Sequence, residues 1–380
     1  MSNSHIIQRL DGFISQGQLE TFARAYELEA QIVGPDHANF VEYINRAANL
    51  RGTQAKTRSR LLLGKQSPHA NAGSGNSERF VYDANGKAEI PTKPVRTEGQ
   101  PDLKPDPHWV NPTYEQSGAV RDYYLNIHGW KSIDNKGMDM HSVDDYDENY
   151  DNAFWDDAEM VYGAGDGTTF RKGGFNEITV SGHEMTHGVT AHRSGLVYRD
   201  WPGIINEHLS DVGGINVKHY HEKLGPDKAD NWLLGAGIFA PGVNGRAIRH
   251  MLEPGTAFDD WRLGGKDPQP KSYKDYQQTD SDNGGVHLYS GIPNCAYATF
   301  AQEVGLPVYE FAAHVWFKAA GMIGSQASLD DLVQATLQAC KSRDNSKYNA
   351  LVHAWNTVDV KAGSMVRRFW VMSGLYKLAA

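Results

Sequence analysis

Apolar positions change rhythm along this chain. Between residues 10 and 33, Leu10, Phe13, Ile14, Phe22, Tyr26 and Ile32 recur at helical spacing, the pattern of a helix with one buried stripe. From Glu78 to about Phe175 short alternating pieces such as ERFVYDA are broken by Gly, Pro, Asn and Asp, which predicts short strands joined by turns. One helix is expected inside that region, near Ser117 to His128. From Ile178 onward the period becomes helical. Helices are predicted in ITVSGHEMTHGVTAHRSG and NEHLSDVGGINVKHYHEK, then in IPNCAYATFAQEVG, LPVYEFAAHVWFKAAG and LDDLVQATLQACKS. A strand-rich region followed by a helix-rich one predicts an α+β fold.

Composition adds boundaries to this pattern. A chain of 380 residues has room for more than one domain. Arg46, Arg51, Lys56, Arg58, Arg60 and Lys65 follow one another with no acid between them, which reads as a solvated, protease-sensitive segment. HANAGSGNSE then reads as an exposed linker. A boundary is therefore placed near residues 66 to 78. The expected organisation is 1–75 as a prosegment or accessory helical segment, 76–177 as a strand-rich lobe, 178–364 as a helical lobe and 365–380 as a tail. The acidic piece SVDDYDENYDN lacks an EF-hand pattern and reads as a solvated loop. Gly182, Gly188, Gly213 and Gly214 are expected to serve close helix packing in preference to hinge motion.

Charge and length narrow the function classes. A net charge of -9 gives no footprint for nucleic acid, and no stretch has the length of a membrane span. The opening MSNSHIIQRLDGF lacks the layout of a secretory signal peptide, so the expected location is cytoplasmic or reached by non-classical export. Cys295 and Cys340 fit no zinc or redox spacing. They read as small buried apolar side chains, with a disulfide between them left open.

The chemistry concentrates in HEMTH. His183 and His187 lie four apart, hence on one helix face, where both imidazoles reach one zinc. Glu184 projects near the same point without being a ligand. A catalytic zinc needs a third protein ligand, and INEHLSD offers Glu207 on a second helix. Asp211, one turn later, is placed to orient a ligand histidine. The alternative with a third histidine in the same motif fails, because Thr190 and Arg193 stand where Gly and His are required. His192 and His208 read as surface or core histidines. In DNGGVH, a Gly-Gly turn sets Asp282 before His287, a presenter for an imidazole that stabilises an oxyanion.

These residues, with NAFWDDAEMVYGAGDG, SGHEMTHGVT, SGLVY, INEHLSD and DNGGVHLYSGIPN in order, resemble the thermolysin-like neutral metallopeptidases, and among them the protealysin-like members. The resemblance runs from about Arg79 to Val360. It implies two lobes with a zinc cleft between them, preceded by a prosegment that covers the active site. It implies Zn2+ on His183, His187 and Glu207, with Glu184 as the base that takes a proton from zinc-bound water. Tyr198 and His287 would meet the developing oxyanion, Asp282 would orient His287, and Asp211 would orient His183. Asn152 and Ala153 would bind substrate backbone, and Arg249 would hold a substrate carbonyl at the rim of the pocket. Val180, Leu234 and Ile248 would line an apolar pocket that selects a bulky hydrophobic residue after the scissile bond. The family's double calcium site would fall at Thr179, Lys218, Asn231, Leu233 and Ala236. None is a carboxylate, so that site is expected to be missing. The expected partners are a peptide or protein substrate and the chain's own prosegment. A second reading, a catalytically silent relative that binds peptide or protein, has to explain why the whole set of ligands, base and oxyanion donors is present.

Overall fold

The computed structural model describes residues 12–35, 37–62, 68–69 and 75–362, with backbone alone for 54–62. The tail expected from residue 365 and most of the linker expected at 66–78 fall outside the described residues. Within that linker His69 is buried, and its ring stacks on Tyr82 and His141.

The first helix, α1 (Gln16–Val33), begins later than its apolar spacing suggests. Ser15 closes a capping box: its hydroxyl accepts from Gln18 N at 3.0 Å, and the Gln18 side chain accepts from Ser15 N at 3.1 Å. Phe13 and Ile14 are thereby left outside the helix. The buried stripe of α1 is Leu19, Phe22, Ala23, Tyr26 and Ala30. Residues 46–62 of the basic stretch belong to a second helix, α2 (Phe40–Leu62), packed on α1; Lys65 lies outside the described residues. Arg46 and Arg51, whose side chains are described, are paired with acids distant in sequence. Arg51 Nε reaches Glu20 Oε2 at 3.0 Å and Arg51 Nη2 reaches Glu27 Oε2 at 2.9 Å, both acids on α1.

A five-stranded sheet follows, with order β2-β1-β3-β5-β4. Its strands are β1 (Arg79–Asp83), β2 (Arg96–Thr97), β3 (Met140–Tyr146), β4 (Ala153–Trp155) and β5 (Glu159–Gly163). β1, β3 and β5 run parallel, with Val81 opposite Ser142 and Val143 opposite Val161. β4 is antiparallel to β5 and lies at the sheet edge, with Phe154 opposite Val161. Helix α3 (Val110–His128) packs on β1 and β3, starting seven residues before its expected N-terminus. The acidic piece is not a solvated loop: Ser142 to Tyr146 forms the C-terminal part of β3. Asp144 is fully buried there and accepts from Asn176 Nδ2 at 2.7 Å and Thr113 Oγ1 at 3.1 Å. Its charge did not place it outside, because hydrogen-bond donors meet it inside.

The helical region is built on α4 (Ile178–Arg193) and α5 (Asp200–Glu222), which cross closely. A Cβ on Gly182 would stand 2.8 Å from Gly214 Cα, and one on Gly213 would stand 2.1 Å from Thr186 Oγ1. These glycines therefore serve packing, as expected. Beyond them come α6 (Asp282–Tyr289), α7 (Gly291–Val304), α8 (Ala312–Ala320), α9 (Leu329–Arg343) and α10 (Tyr348–Thr357). Their shared core includes Trp232, Trp316 and Trp355. Cys295 and Cys340 are both buried free thiols, which decides the disulfide question.

Candidate metal centre and cleft

Helix α4 is anchored at its start by Glu177, whose carboxylate accepts from Thr179 N at 2.9 Å and Val180 N at 3.2 Å. One turn further in, His183 and His187 face α5. Their Nε2 atoms are 3.1 Å apart, and Glu207 on α5 comes to 3.4 Å from His183 Nε2 and 3.3 Å from His187 Nε2. Donors at about 2.0–2.1 Å from a tetrahedral zinc would stand roughly 3.3 Å from one another, so the three separations suit that ion. Glu207 Oε2 is buried with no hydrogen-bond partner, as a ligand atom awaiting a cation would be. Only this group and Asp83, His108 and Asp145, all partly exposed, bring metal-ligand atoms together among the described residues.

The Nδ1 atoms of both histidines are engaged, which turns their Nε2 lone pairs toward the centre. His183 Nδ1 pairs with Asp211 Oδ1 at 2.8 Å. His187 Nδ1 pairs with Asn206 Oδ1 at 2.8 Å and lies 3.0 Å from Ser210 Oγ. Burial lowers the His183 pKa to about 4, against the pull of Asp211, so the ring is neutral at pH 7 and free to ligate. Asp211 also receives Arg249 Nη2 at 2.9 Å and Asn294 Nδ2 at 2.8 Å. Sequence reading did not single out Asn206, Ser210 or Asn294. Amides and hydroxyls carry no motif, and only contact with the ring or carboxylate marks them. His208 is a core histidine, held by Asn294 Oδ1 at 2.7 Å and Trp316 Nε1 at 2.6 Å, and His192 is exposed, both as expected.

Glu184 is buried beside the ligands. Its Oε2 accepts from Trp155 N at 3.1 Å, while Oε1 has no hydrogen-bond partner. Burial, and then the Glu207 charge, raise its pKa well above the ordinary carboxylate value. Tyr198 donates its hydroxyl proton to Glu207 Oε1 and lies 3.2 Å from His287 Nε2. Asp282 and His287 pair at 2.8 Å through Oδ1 and Nδ1, and His287 N donates to Asp282 Oδ2 at 2.9 Å. The turn between them leaves the helical region at Asn283, Gly284 and Gly285. Gly284 has φ +94°, and a Cβ there would lie 2.9 Å from the Asp200 backbone, so this turn needs glycine.

The cleft is filled by the residues just before α1. Phe13 N donates to Ala153 O at 3.0 Å. Ile14 N donates to Asn152 Oδ1 at 2.9 Å, and Asn152 Nδ2 donates to Ile14 O at 2.8 Å. The outer edge of the sheet at β4 is thus covered by peptide backbone. The Gly12 carbonyl oxygen stands 3.2 Å from His287 Nε2. The Phe13 ring is wholly buried, edge-on to His183 at 5.3 Å. It belongs to the cluster that contains Val180, Leu234 and Ile248. A Cβ on Gly235, next to Leu234, would stand 2.9 Å from the Phe13 ring. Arg249 is not at a rim. It is buried, its guanidinium 4.4 Å from the Phe13 ring centre, and Nη1 donates to Phe13 O at 2.9 Å. Asp211 supplies the counter-charge that permits this depth. Phe13 and Ile14 were legible only as part of a helical stripe.

Three metal-ligating side chains, an adjoining glutamate and a groove that already holds peptide backbone together make a metallopeptidase centre. Comparison with known proteins agrees. The family model described as "Thermolysin metallopeptidase, catalytic domain" matches residues 76–191, and "Thermolysin metallopeptidase, alpha-helical domain" matches residues 194–360. The chain is 37% identical to "Extracellular metalloprotease" of Pectobacterium carotovorum subsp. carotovorum, over 77% of this chain and 84% of that one. It is 35% identical to "Protease PrtS" of Photorhabdus sp. (strain Az29), over 76% of this chain and 78% of that one. The solved precursor of protealysin, a metalloproteinase from Serratia proteamaculans, superposes with a TM-score of 0.72 at 38% identity, covering 80% of this chain and 94% of that one. The chain therefore belongs to the thermolysin family of metallopeptidases, with the helical segment α1 and α2 ahead of its strand-containing and helical lobes.

Proposed function

We propose that this protein is a zinc endopeptidase held latent by residues 1–75, and that it cuts before a bulky hydrophobic residue. The observation that carries this is the seat of Gly12 and Phe13. Hydrogen bonds from Phe13 N to Ala153, from Ile14 N to Asn152 and from Arg249 to the Phe13 carbonyl hold them beside the metal ligands, with Phe13 against Gly235 and in one core cluster with Val180, Leu234 and Ile248. A substrate residue after the scissile bond would take the place of Phe13. Gly12 has φ +71°, so the chain enters the cleft bent rather than in the extended pose of a cleavable strand.

His183, His187 and Glu207 would hold the zinc, which supplies a Lewis acid for a peptide carbonyl and lowers the pKa of water to about 7. Glu184 takes the proton from the attacking water on Oε1 and later gives it to the leaving amine. Trp155 N holds its other oxygen at 3.1 Å, which fixes the carboxylate. His287 and Tyr198 donate to the oxyanion, with Asp282 holding the imidazole in place. Asp211 positions His183, and Arg249 fixes the carbonyl of the residue that replaces Phe13.

The double calcium site is proposed to be absent. Thr179 Oγ1 is the acceptor for Gly235 N at 2.8 Å, and Asn231 Nδ2 donates to Gly225 O at 2.8 Å, so these positions are spent on protein contacts. Calcium sites elsewhere stay open, so removing calcium should lower the melting temperature only slightly. Of the two locations open from the sequence, the description of the Pectobacterium relative as extracellular favours export.

Cleavage of a quenched peptide with a central Phe, with and without a zinc chelator, tests the reading. Cleavage that vanishes with chelator and returns with zinc supports it. No cleavage before or after limited trimming of residues 1–75 would instead favour the silent peptide-binding relative.

A further inference from the structure

Asp151 and Asp166 lie beside Asn152 on the side of the cleft where the chain runs after Phe13. Neither belongs to the metal centre. Their own surroundings hold them in place. Asp166 Oδ1 accepts from Thr168 N at 3.0 Å, Thr169 N at 3.2 Å and Phe170 N at 3.2 Å. Asp151 Oδ1 accepts from Asp166 N at 2.9 Å. This leaves one oxygen of each carboxylate facing a common point, and Arg46 of α2 fills it. Arg46 Nη1 donates to Asp151 Oδ2 at 2.8 Å and also contacts Asp166 Oδ2. Arg46 Nε donates to Thr169 Oγ1 at 3.1 Å. All three groups are buried.

The host groups belong to the catalytic part, and the guest belongs to the prosegment. Once the prosegment leaves, two carboxylates would face the groove with no cation between them. Burial and the Asp166 charge hold the Asp151 carboxyl up at about 7 even with Arg46 present, so the empty pair would carry both charges poorly. Arg46 is also an imperfect guest, since its Nη2 finds no hydrogen-bond partner. Two carboxylate oxygens and a hydroxyl are too few for calcium. They suit the planar donors of a guanidinium.

We propose that Asp151, Asp166 and Thr169 form a substrate subsite for an arginine side chain at the second or third residue after the scissile bond, a subsite that Arg46 occupies in the intact chain. The proposal rests on the endopeptidase reading for its setting, but the cation site itself is testable without catalysis.

The first test uses the full chain with Arg46→Ala. Thermal unfolding is followed with millimolar methylguanidinium, methylammonium or N-methylurea. The expected result is a rise in melting temperature with methylguanidinium only, in the variant and not in the wild type, lost when Asp166→Asn is added. Equal response to all three additives overturns the site, and a response to methylammonium alone overturns its preference for guanidinium.

The second test covers the case in which Arg46→Ala fails to fold. Self-shortened wild-type protein is offered two peptides with Phe after the scissile bond. One carries arginine at the second and third positions and the other its neutral isostere citrulline. The arginine peptide should be cleaved about tenfold more efficiently, and Asp166→Asn should remove the preference. Equal cleavage of both sinks the subsite and leaves the endopeptidase standing. Cleavage of neither sinks the endopeptidase reading and with it the substrate subsite.

Discussion

Asp211 and Asp151 are both buried carboxylates that face an arginine, yet their acidities are pushed in opposite directions. At Asp211, burial works against the charge. Arg249 nevertheless outweighs it, helped by His183 and Asn294, and holds the group well below the usual carboxylate range. At Asp151 burial wins: Arg46 offsets only part of it, the neighbouring Asp166 charge adds to it, and the carboxyl rises to about 7. The difference follows from where the partners sit. Those of Asp211 lie on α4, on the short strand β6 (Arg249–His250) and on α7, all inside the region that the family models match. The cation of Asp151 sits on α2, ahead of the region that the family models match, and would leave with residues 1–75 under the proposed latency. A permanent charge network can be saturated with donors, whereas a temporary cover has to remain removable.

The strongest way to break this comparison is Asp211→Ala. It strands Arg249 in the interior and frees the His183 ring. Loss of one partner of a buried pair costs about 3–5 kcal/mol, and zinc affinity should fall about 10- to 100-fold. Urea unfolding and zinc titration read the two effects, and a variant as stable as the parent would show that the network carries no weight.

Glu184→Gln sharpens the contrast from the other side. Before zinc adds its charge, burial and the Glu207 carboxylate disfavour the ionised form of Glu184, so an amide of the same shape should cost the zinc-free chain little stability. Peptide cleavage should nevertheless fall about 10²- to 10⁴-fold. Activity assays beside thermal melts distinguish this from general damage.

Phe13→Ala empties the apolar pocket of the closed chain. Loss of a buried Phe ring costs about 3–5 kcal/mol, here charged against the closed state. The intact chain should show raised peptidase activity before any shortening, as followed by gel and quenched peptide together. Unchanged latency would mean that the helical pair α1 and α2, not Phe13, keeps the cleft shut.

The smallest effect is expected at Glu98, a half-exposed carboxylate between Arg79 and Arg121. The Arg79 hydrogen bond, at 2.7 Å, leads in lowering its pKa to about 2. Because the folded pKa lies below the unfolded one, its stabilisation is present above about pH 4.3. It is lost as pH falls toward 2. Glu98→Gln should cost no more than about 1 kcal/mol at pH 7, given its exposure. The gap to wild type should close in acid denaturation.

Much of the metal centre was legible before the fold. A helix fixes what lies three and four residues apart, so His183 with His187 and Glu207 with Asp211 each had to share a face. Asp282 and His287 were legible for a similar reason, because a Gly-Gly turn holds them near one another whatever surrounds them. Asn206, Ser210 and Asn294 were not, since their roles depend on which helix packs opposite. Arg249 was placed at a rim by the resemblance alone, and nothing local announces Asp211 as its partner. The basic run and the acidic run were each read as solvated for the same reason. One pair joins the two runs, Arg46 with Asp151, across more than a hundred positions.

The sequence by itself determined which candidate groups share a helix face, His183 with His187 and Glu207 with Asp211, together with the α+β order and the apolar faces, all of which are read from local spacing. Only the tertiary structure decided that Phe13 leaves the helical stripe to enter the cleft, that Arg249 is buried, and that two oppositely charged runs meet. Each of those outcomes depends on desolvation, and desolvation is set by what distant segments bring to the same place.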